Sequence, residues 1–255
     1  MKMLIALLFF HLSQISADAP SLRVGMELSY PPFETICNDG KPCGISVDIA
    51  MALGKSLDRP VKFENIPFVG LIPSLKNGSI DTIISSLTIT EQRRKAIDFS
   101  DPYATIGLCL LLNINSTIFD IEQANTKGII IVVKAGTSGE LYASQHLQNA
   151  TVRNLDKESS CVLEVIQGKA DAFIYDQLSV YTNWKKNPTT TKVNLTAFQK
   201  EHWAFGIRKG NQELANQINQ FIKKFREENK FDKLADKYLP DQKKAFQEMG
   251  VPFVF

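Results

Sequence analysis

The 255-residue chain has few of the residues on which much metal and nucleophilic chemistry depends. It has three histidines, four cysteines and two tryptophans. No histidine lies beside a cysteine pair with the spacing of a zinc site. No Ser-His-Asp set and no phosphate-binding glycine loop is visible along the chain. We therefore predict no cofactor and no metal centre.

Long apolar runs and an excess of either charge are also missing. The 29 lysines and arginines nearly balance the 27 acidic residues, for a net charge of +2. This balance gives no electrostatic footprint for nucleic acid. No run of about 18 apolar residues occurs, so no transmembrane helix is predicted in the mature chain.

The N-terminus has its own pattern, MKMLIALLFFHLSQISADA. One lysine precedes a short apolar run, and small residues follow it. This order is typical of a secretory signal peptide, and the run is too short for a membrane span. We predict a signal peptide over residues 1–17, cleaved after Ala17. No cysteine precedes Cys37, so no lipid anchor is predicted and the mature chain is expected to be soluble and exported.

Export permits disulfide bonds. Cys37 and Cys43 flank NDGKP, a strong turn signal, and a hairpin there would bring their β-carbons within bonding range. We predict that this pair is bonded. Cys109 lies in an apolar run and Cys161 in a helical pattern, which is more typical of buried thiols.

Short apolar strands alternate with helical patterns from Leu22 onward. LRVGM and IDTIIS are predicted strands, with a helix over 47–57 between them. A second series follows, with strands at 129–133, 171–175 and 203–207, and two amphipathic helices close the chain. The alternation predicts an α/β protein with helix-covered parallel sheets. The two series predict two lobes.

Several stretches then carry a family resemblance. They are LRVGMELSYPPFE, GISVDIAMALGKSL, FVGLIPSLKNGSIDTIISSLTITEQRRKAIDFSDPY, VVKAGTSGELY and GKADAFIYDQLSVY. From about Leu22 to Pro240 the chain resembles the polar amino-acid-binding proteins of bacterial ABC importers, solute-binding protein family 3. The resemblance implies a two-lobed periplasmic-binding-protein fold that closes over one amino acid, and a mature protein located in the periplasm.

The resemblance also implies the domain layout. Residues 18–108 and 208–240 would form the first lobe, and 109–207 the second lobe with the hinge strands. The two crossing strands are expected near 109–113 and 204–207. The segment 241–255 is predicted as a C-terminal tail, and the sequence assigns no role to it.

A free amino acid carries a carboxylate, which suits the planar donors of arginine, and an ammonium, which needs an anion. The resemblance assigns Arg93 to the carboxylate and Asp176 to the ammonium. The remaining residues that it places around the ligand are Ser85, Ser86, Thr88, Thr137 and Ser138. Each has a plainer interpretation: Thr90 begins a helix that would hold Arg93 on the surface, Asp176 suits a helix N-cap, and GTSG suits a turn.

The side-chain pocket is implied to contain Glu27, Tyr30, Phe68 and Lys134. Tyr30 and Phe68 could sandwich a flat or aliphatic side chain. If Lys134 points away, Glu27 would pair with a cationic tip, and arginine or lysine is the favoured ligand. If Lys134 points inward, it repels a cation and pairs with Glu27, as in the glutamine binders. The sequence leaves its direction open.

An enzyme is the alternative from another class. Cyclohexadienyl and arogenate dehydratases share this framework and need an acid in the pocket to protonate a leaving hydroxyl. An intact ammonium site at Asp176 favours capture over catalysis, so we predict no enzymatic activity. The expected partners are a small-molecule amino acid and a membrane permease complex, with the chain itself a monomer.

Overall fold

The computed structural model describes residues 20–255, and the predicted signal peptide lies outside them. The strands are Leu22–Met26 (β1), Ser29–Tyr30 (β2), Glu34–Ile36 (β3), Pro42–Cys43 (β4), Val61–Asn65 (β5), Thr82–Ile83 (β6), Asp98–Phe99 (β7), Ala104–Asn113 (β8), Ile130–Lys134 (β9), Thr151–Leu155 (β10), Ala172–Asp176 (β11), Thr191–Trp203 (β12) and Gly206–Ile207 (β13). The helices are Ile45–Ser56 (α1), Phe68–Lys76 (α2), Glu91–Ala96 (α3), Ile121–Ala124 (α4), Ser138–His146 (α5), Glu158–Ile166 (α6), Gln177–Lys186 (α7), Gln212–Glu227 (α8), Lys230–Tyr238 (α9) and Pro240–Glu248 (α10). Within 20–255, no helix has the length and apolar character needed to cross a bilayer.

Two five-stranded sheets form the centres of two lobes. The first sheet has the order β5-β1-β6-β13-β7 and the second β10-β9-β11-β8-β12. The central pairings, β5-β1-β6 and β10-β9-β11, are parallel. β13 and β8 join their sheets antiparallel, and so do the edge strands β7 and β12 that pair with them. The two-lobed α/β fold is therefore confirmed, with mixed rather than purely parallel sheets.

Helical periodicity was the most informative local signal. α1 buries Ile49, Ala50 and Leu53 on one face. The amphipathic stripe of α8 is buried in the same manner, at the positions that the apolar spacing predicts. α1 packs against β5 of the first sheet and against α8, and α8 packs in turn against α9.

The chain passes between the lobes at two places. The first passage, at 100–103, joins β7 to β8, and the second, at 204–205, joins β12 to β13. Residues 109–113 were expected at the first passage but lie inside the second sheet, between β11 and β12. Residues 104–108 therefore also belong to that sheet. The run GLCLLL is apolar because a central strand is buried on both faces.

A small three-stranded sheet, β2-β3-β4, lies beside the first lobe. The turn after β3 contains Gly40, whose φ of 78° suits glycine. It brings the α-carbons of Cys37 and Cys43 to 5.8 Å, and the disulfide between them is present. Cys109 and Cys161 are buried free thiols. The predictions for all four cysteines are confirmed.

The C-terminal segment, for which the sequence indicated no role, is folded against both lobes. Phe246 of α10 is fully buried and packs edge-on against Tyr181 of α7 in the second lobe. Phe255 stacks on Phe231 of α9 in the first lobe. The carbonyl of Val254 accepts a hydrogen bond of 2.9 Å from the Thr105 amide at the start of β8.

Candidate functional site

A cavity lies in the cleft between the lobes. All eleven residues that the resemblance assigned to a ligand line it: Glu27, Tyr30, Phe68, Ser85, Ser86, Thr88, Arg93, Lys134, Thr137, Ser138 and Asp176. The open volume between these side chains is about 40 Å³. That is room for about three water molecules, so an amino acid can enter only when side chains or lobes move.

Arg93 is placed by a capped helix. Thr90 begins α3 and accepts a hydrogen bond from the Arg93 amide at 3.1 Å, as the plainer interpretation predicted. The Arg93 side chain nevertheless turns inward, whereas that of Arg94 is 50% exposed. The Arg93 guanidinium donates to the Thr88 carbonyl at 2.6 Å and, across the cleft, to the Gly136 carbonyl at 2.8 Å. Burial lowers its pKa to about 10, so it remains charged.

Asp176 ends β11 and serves two purposes. Its Oδ1 caps α7 by accepting from the Leu178 and Ser179 amides, each at 3.0 Å. Its Oδ2 accepts from the Tyr30 hydroxyl of the other lobe at 2.7 Å. Burial raises the pKa of Asp176 to about 7. A buried carboxylate with neutral donors around it is stabilised by any cation that enters beside it.

Glu27 and Lys134 form an ion pair across the cleft, Glu27 from the first lobe and Lys134 from the second. Lys134 therefore points inward, a direction that the sequence left open. Its ammonium also lies 5.4 Å from the centre of the Phe68 ring. The second oxygen of Glu27 accepts from the Phe68 amide at the start of α2, at 3.3 Å.

Ser85 and Ser86 line the cavity, but their hydroxyls donate to Glu34. Glu34 also accepts from Ser46 at 2.6 Å. Sequence reasoning missed this residue, although it is the antiparallel partner of Tyr30 in the β2-β3 hairpin and shares its face. Burial raises the pKa of Glu34 to about 8, so a neutral carboxylic acid borders the cavity at pH 7.

Glu201 is a second residue that sequence reasoning missed. Along QKEHW, the buried positions Glu201 and Trp203 alternate with the exposed Lys200 and His202. In the sequence QKEH is polar at every position, so no apolar alternation marks the inner face; the only signal for Glu201 is its spacing of two from Trp203, which puts both on one face of a strand. Its Oε2 accepts from the hydroxyls of Thr88, at 2.9 Å, and Ser138, at 2.8 Å.

The N-terminus of α5 faces the cavity from the second lobe. Thr137 is its N-cap residue, and its hydroxyl donates to the Lys134 carbonyl at 2.7 Å. Ser138 and Gly139, the first two residues of the helix, line the cavity. The unpaired amides and the dipole of a helix N-terminus favour an anionic group.

The cleft thus contains groups that can bind an anion and a group that can bind a cation. Arg93 and the start of α5 offer donors to an anion, while Asp176 offers an acceptor to a cation. The ion pair of Glu27 and Lys134 lies beside Phe68 in the same cavity.

Residues 22–241 match the model of the bacterial extracellular solute-binding proteins, family 3. The L-cystine-binding protein TcyJ of Escherichia coli K12 is 30% identical over 218 residues, 86% of this chain and 82% of that one. The L-arginine-binding protein of Pseudomonas aeruginosa is 30% identical over 243 residues, 92% and 93% of the two chains.

Solved structures agree in fold. An ancestral amino-acid-binding protein described as a precursor of cyclohexadienyl dehydratase is 34% identical, with a TM-score of 0.78 over 86% of this chain and 95% of that one. An ancestral arginine-binding protein bound to arginine is 33% identical, with a TM-score of 0.80 over 86% and 98%. The match to the family model and the two relatives at 30% identity show that the chain belongs to the bacterial extracellular solute-binding proteins, family 3.

Proposed function

We propose that this protein captures one polar L-α-amino acid outside the cytoplasm and delivers it to the membrane permease of an ABC importer. One observation carries the proposal. A buried arginine, Arg93, and a buried carboxylate, Asp176, border the same interlobe cavity from opposite lobes. The two charges suit the α-carboxylate and α-ammonium that all amino acids share, and only closure of the lobes brings both onto one molecule.

The same geometry supports an uncharged polar side chain of the glutamine type. Glu27, the anion expected to bind a cationic tip, already has a cationic partner in Lys134. An arginine or lysine side chain near Phe68 would meet the buried charge of Lys134, and displacing Lys134 would leave it without a counter-ion. An amide has a donor and an acceptor and would not disturb the pair. A solved ancestral arginine-binding protein with bound glutamine, 33% identical to this chain, supports such a ligand.

A thermal-shift screen tests the proposal. The chain without residues 1–17 is mixed with each of the twenty L-amino acids, L-ornithine and D-glutamine at 1 mM. Binding to the folded state raises the midpoint by mass action, so we expect L-glutamine to raise it most and its D-enantiomer to have no effect. Glutamine binding should be lost in Arg93→Ala and in Asp176→Asn. A screen in which no amino acid raises the midpoint would contradict the proposal.

A dehydratase is the second candidate, and Glu34 favours it. Its neutral carboxyl borders the cavity, where a general acid would be needed to protonate a leaving hydroxyl. The protein is incubated with prephenate and with arogenate, and an aromatic product is sought. Product formed by the wild type and lost in Glu34→Gln would establish the enzyme. No product, together with an amino acid that binds, would leave capture as the function.

A further inference from the structure

Glu201 has an unusual position in the cleft. It lies on β12, next to the second passage between the lobes, and is 5% exposed. Its Oε1 accepts from Gln199 at 2.7 Å. Its Oε2 accepts from Thr88, which precedes α3 in the first lobe, and from Ser138, which begins α5 in the second. One carboxylate oxygen thus bridges the two lobes through two hydroxyl groups.

The resemblance that assigns Arg93 to the α-carboxylate of the ligand also implies that Thr88, beside Arg93, and Ser138, in the AGTSG loop, donate to that carboxylate. A serine or threonine hydroxyl has one hydrogen to donate. While both hydrogens point at Glu201, a second carboxylate at the same place receives neither and meets a like charge. Thr88, Ser138 and Glu201 line the same cavity, so a ligand carboxylate that enters it competes with Glu201 for the two hydroxyls.

We propose that Glu201 is an internal carboxylate that occupies the ligand's place on Thr88 and Ser138, and that an amino acid binds by displacing it. This inference rests on the proposed function and adds a residue that sets affinity and specificity. Displacement of Glu201 lowers the affinity for every ligand with an α-carboxylate. A ligand whose α-carboxylate is replaced by a neutral amide gains less from Arg93 but meets no like charge at Glu201.

The test compares two ligands on two variants by calorimetry. The ligands are L-glutamine and L-glutaminamide, or L-arginine and L-argininamide if the screen selects arginine. Glu201→Gln keeps an oxygen that can accept from both hydroxyls but removes the charge. The matched control is Glu227→Gln, the same change on an exposed residue of α8 that does not line the cavity.

We expect Glu201→Gln to bind the amino acid about tenfold more tightly than the wild type, because a buried like charge near the ligand carboxylate is removed. Affinity for the α-carboxamide should stay within about twofold, and the control should match the wild type for both ligands. Unchanged or weaker binding of the amino acid to Glu201→Gln would overturn the inference. If the wild type itself binds no amino acid, it is the proposed function that fails.

A crystal structure of the wild-type protein with its bound amino acid gives a second measurement that needs no variant. The expected result is that the ligand carboxylate accepts from Thr88 and Ser138, while the Glu201 carboxylate has moved beyond hydrogen-bond distance of both. A structure in which Glu201 keeps both hydroxyls would also overturn the inference.

Discussion

At the scale of single residues, the pairing of Glu27 with Lys134 decides between ligand classes. For a glutamine-type ligand, Glu27→Gln and Lys134→Met should each weaken binding by about 2 kcal/mol or more, because each leaves the other charge buried without its partner. The double variant should cost less than the sum of the two. Lys134→Met is chosen because it keeps the packing on Phe68. Calorimetry on the wild type, the two single variants and the double variant gives the four affinities of this double-mutant cycle.

A gain in affinity on removal of the Lys134 charge would instead indicate a cationic ligand. If arginine or lysine displaces Lys134 from Glu27, removal of the lysine charge should improve affinity rather than reduce it. Tighter binding of arginine to Lys134→Met than to the wild type would therefore contradict the glutamine-type proposal.

The raised pKa of Glu34 makes the stability of the protein depend on pH. Its pKa is raised from 4.5 to about 8 in the folded state, mainly by burial. Between these values the folded state keeps a proton that the unfolded state has released, so the free energy of unfolding falls as pH rises through this window. The loss assigned to Glu34 is on the order of 4 kcal/mol. Urea unfolding at pH 5, 6.5 and 8 measures it.

Two variants separate the contributions of Glu34 and Asp176 to the pH dependence of the free energy of unfolding. Glu34→Gln should flatten the pH dependence, while its stability at pH 5 stays near that of the wild type. Asp176, whose pKa is raised to about 7, contributes in the same direction over a lower window, and Asp176→Asn isolates its share. If the free energy of unfolding of Glu34→Gln depended on pH as strongly as that of the wild type, the pH dependence could not be assigned to Glu34.

At the scale of elements, α10 and the chain after it are predicted to stabilise the whole fold. Phe246→Ala removes a fully buried ring from its contacts with Tyr181 and Phe253. The expected loss is about 3–5 kcal/mol. Phe119→Ala, the same change at a residue that is 52% exposed, is the control and should cost well under half of that. Equal losses in the two variants would show that the C-terminal segment contributes little.

At the scale of the whole molecule, closure depends on Gly136. Its φ of 78° favours glycine, and a Cβ there would lie 2.8 Å from Cγ1 of Val69 on the opposite lobe. Gly136→Ala should therefore hold the lobes apart and weaken ligand binding at least tenfold, with a larger radius of gyration by X-ray scattering at saturating ligand. The double variant Gly136→Ala, Val69→Ala should recover part of the ligand affinity and part of the compaction. The second change removes the clash with the Val69 side chain but not the backbone strain at residue 136. No recovery in the double variant would assign the effect to the backbone alone.

The extent of sequence-based prediction also differs with scale. α1 and α8 were predictable because an apolar stripe every three to four residues has one stable arrangement. β12 was not foreseen beyond its last residue, and β8 was taken for a crossing strand. Short apolar or mixed runs do not reveal their strand partners. The apolar pattern of a central strand is the same as that of any other buried segment.

The sequence by itself determined the two series of strands and helices, the turn that brings Cys37 to Cys43, and the residue types that line the cleft. These depend on local periodicity, turn chemistry and order along the chain. Tertiary structure alone decided that Lys134 turns inward to Glu27, that Glu201 reaches Thr88 and Ser138, and that the C-terminal segment packs on both lobes. The contacts of Lys134 and Glu201 across the cleft, and of Phe246 with Tyr181, each join residues more than fifty positions apart. The direction of a side chain across a cleft is set by the packing of the two lobes rather than by its neighbours in sequence.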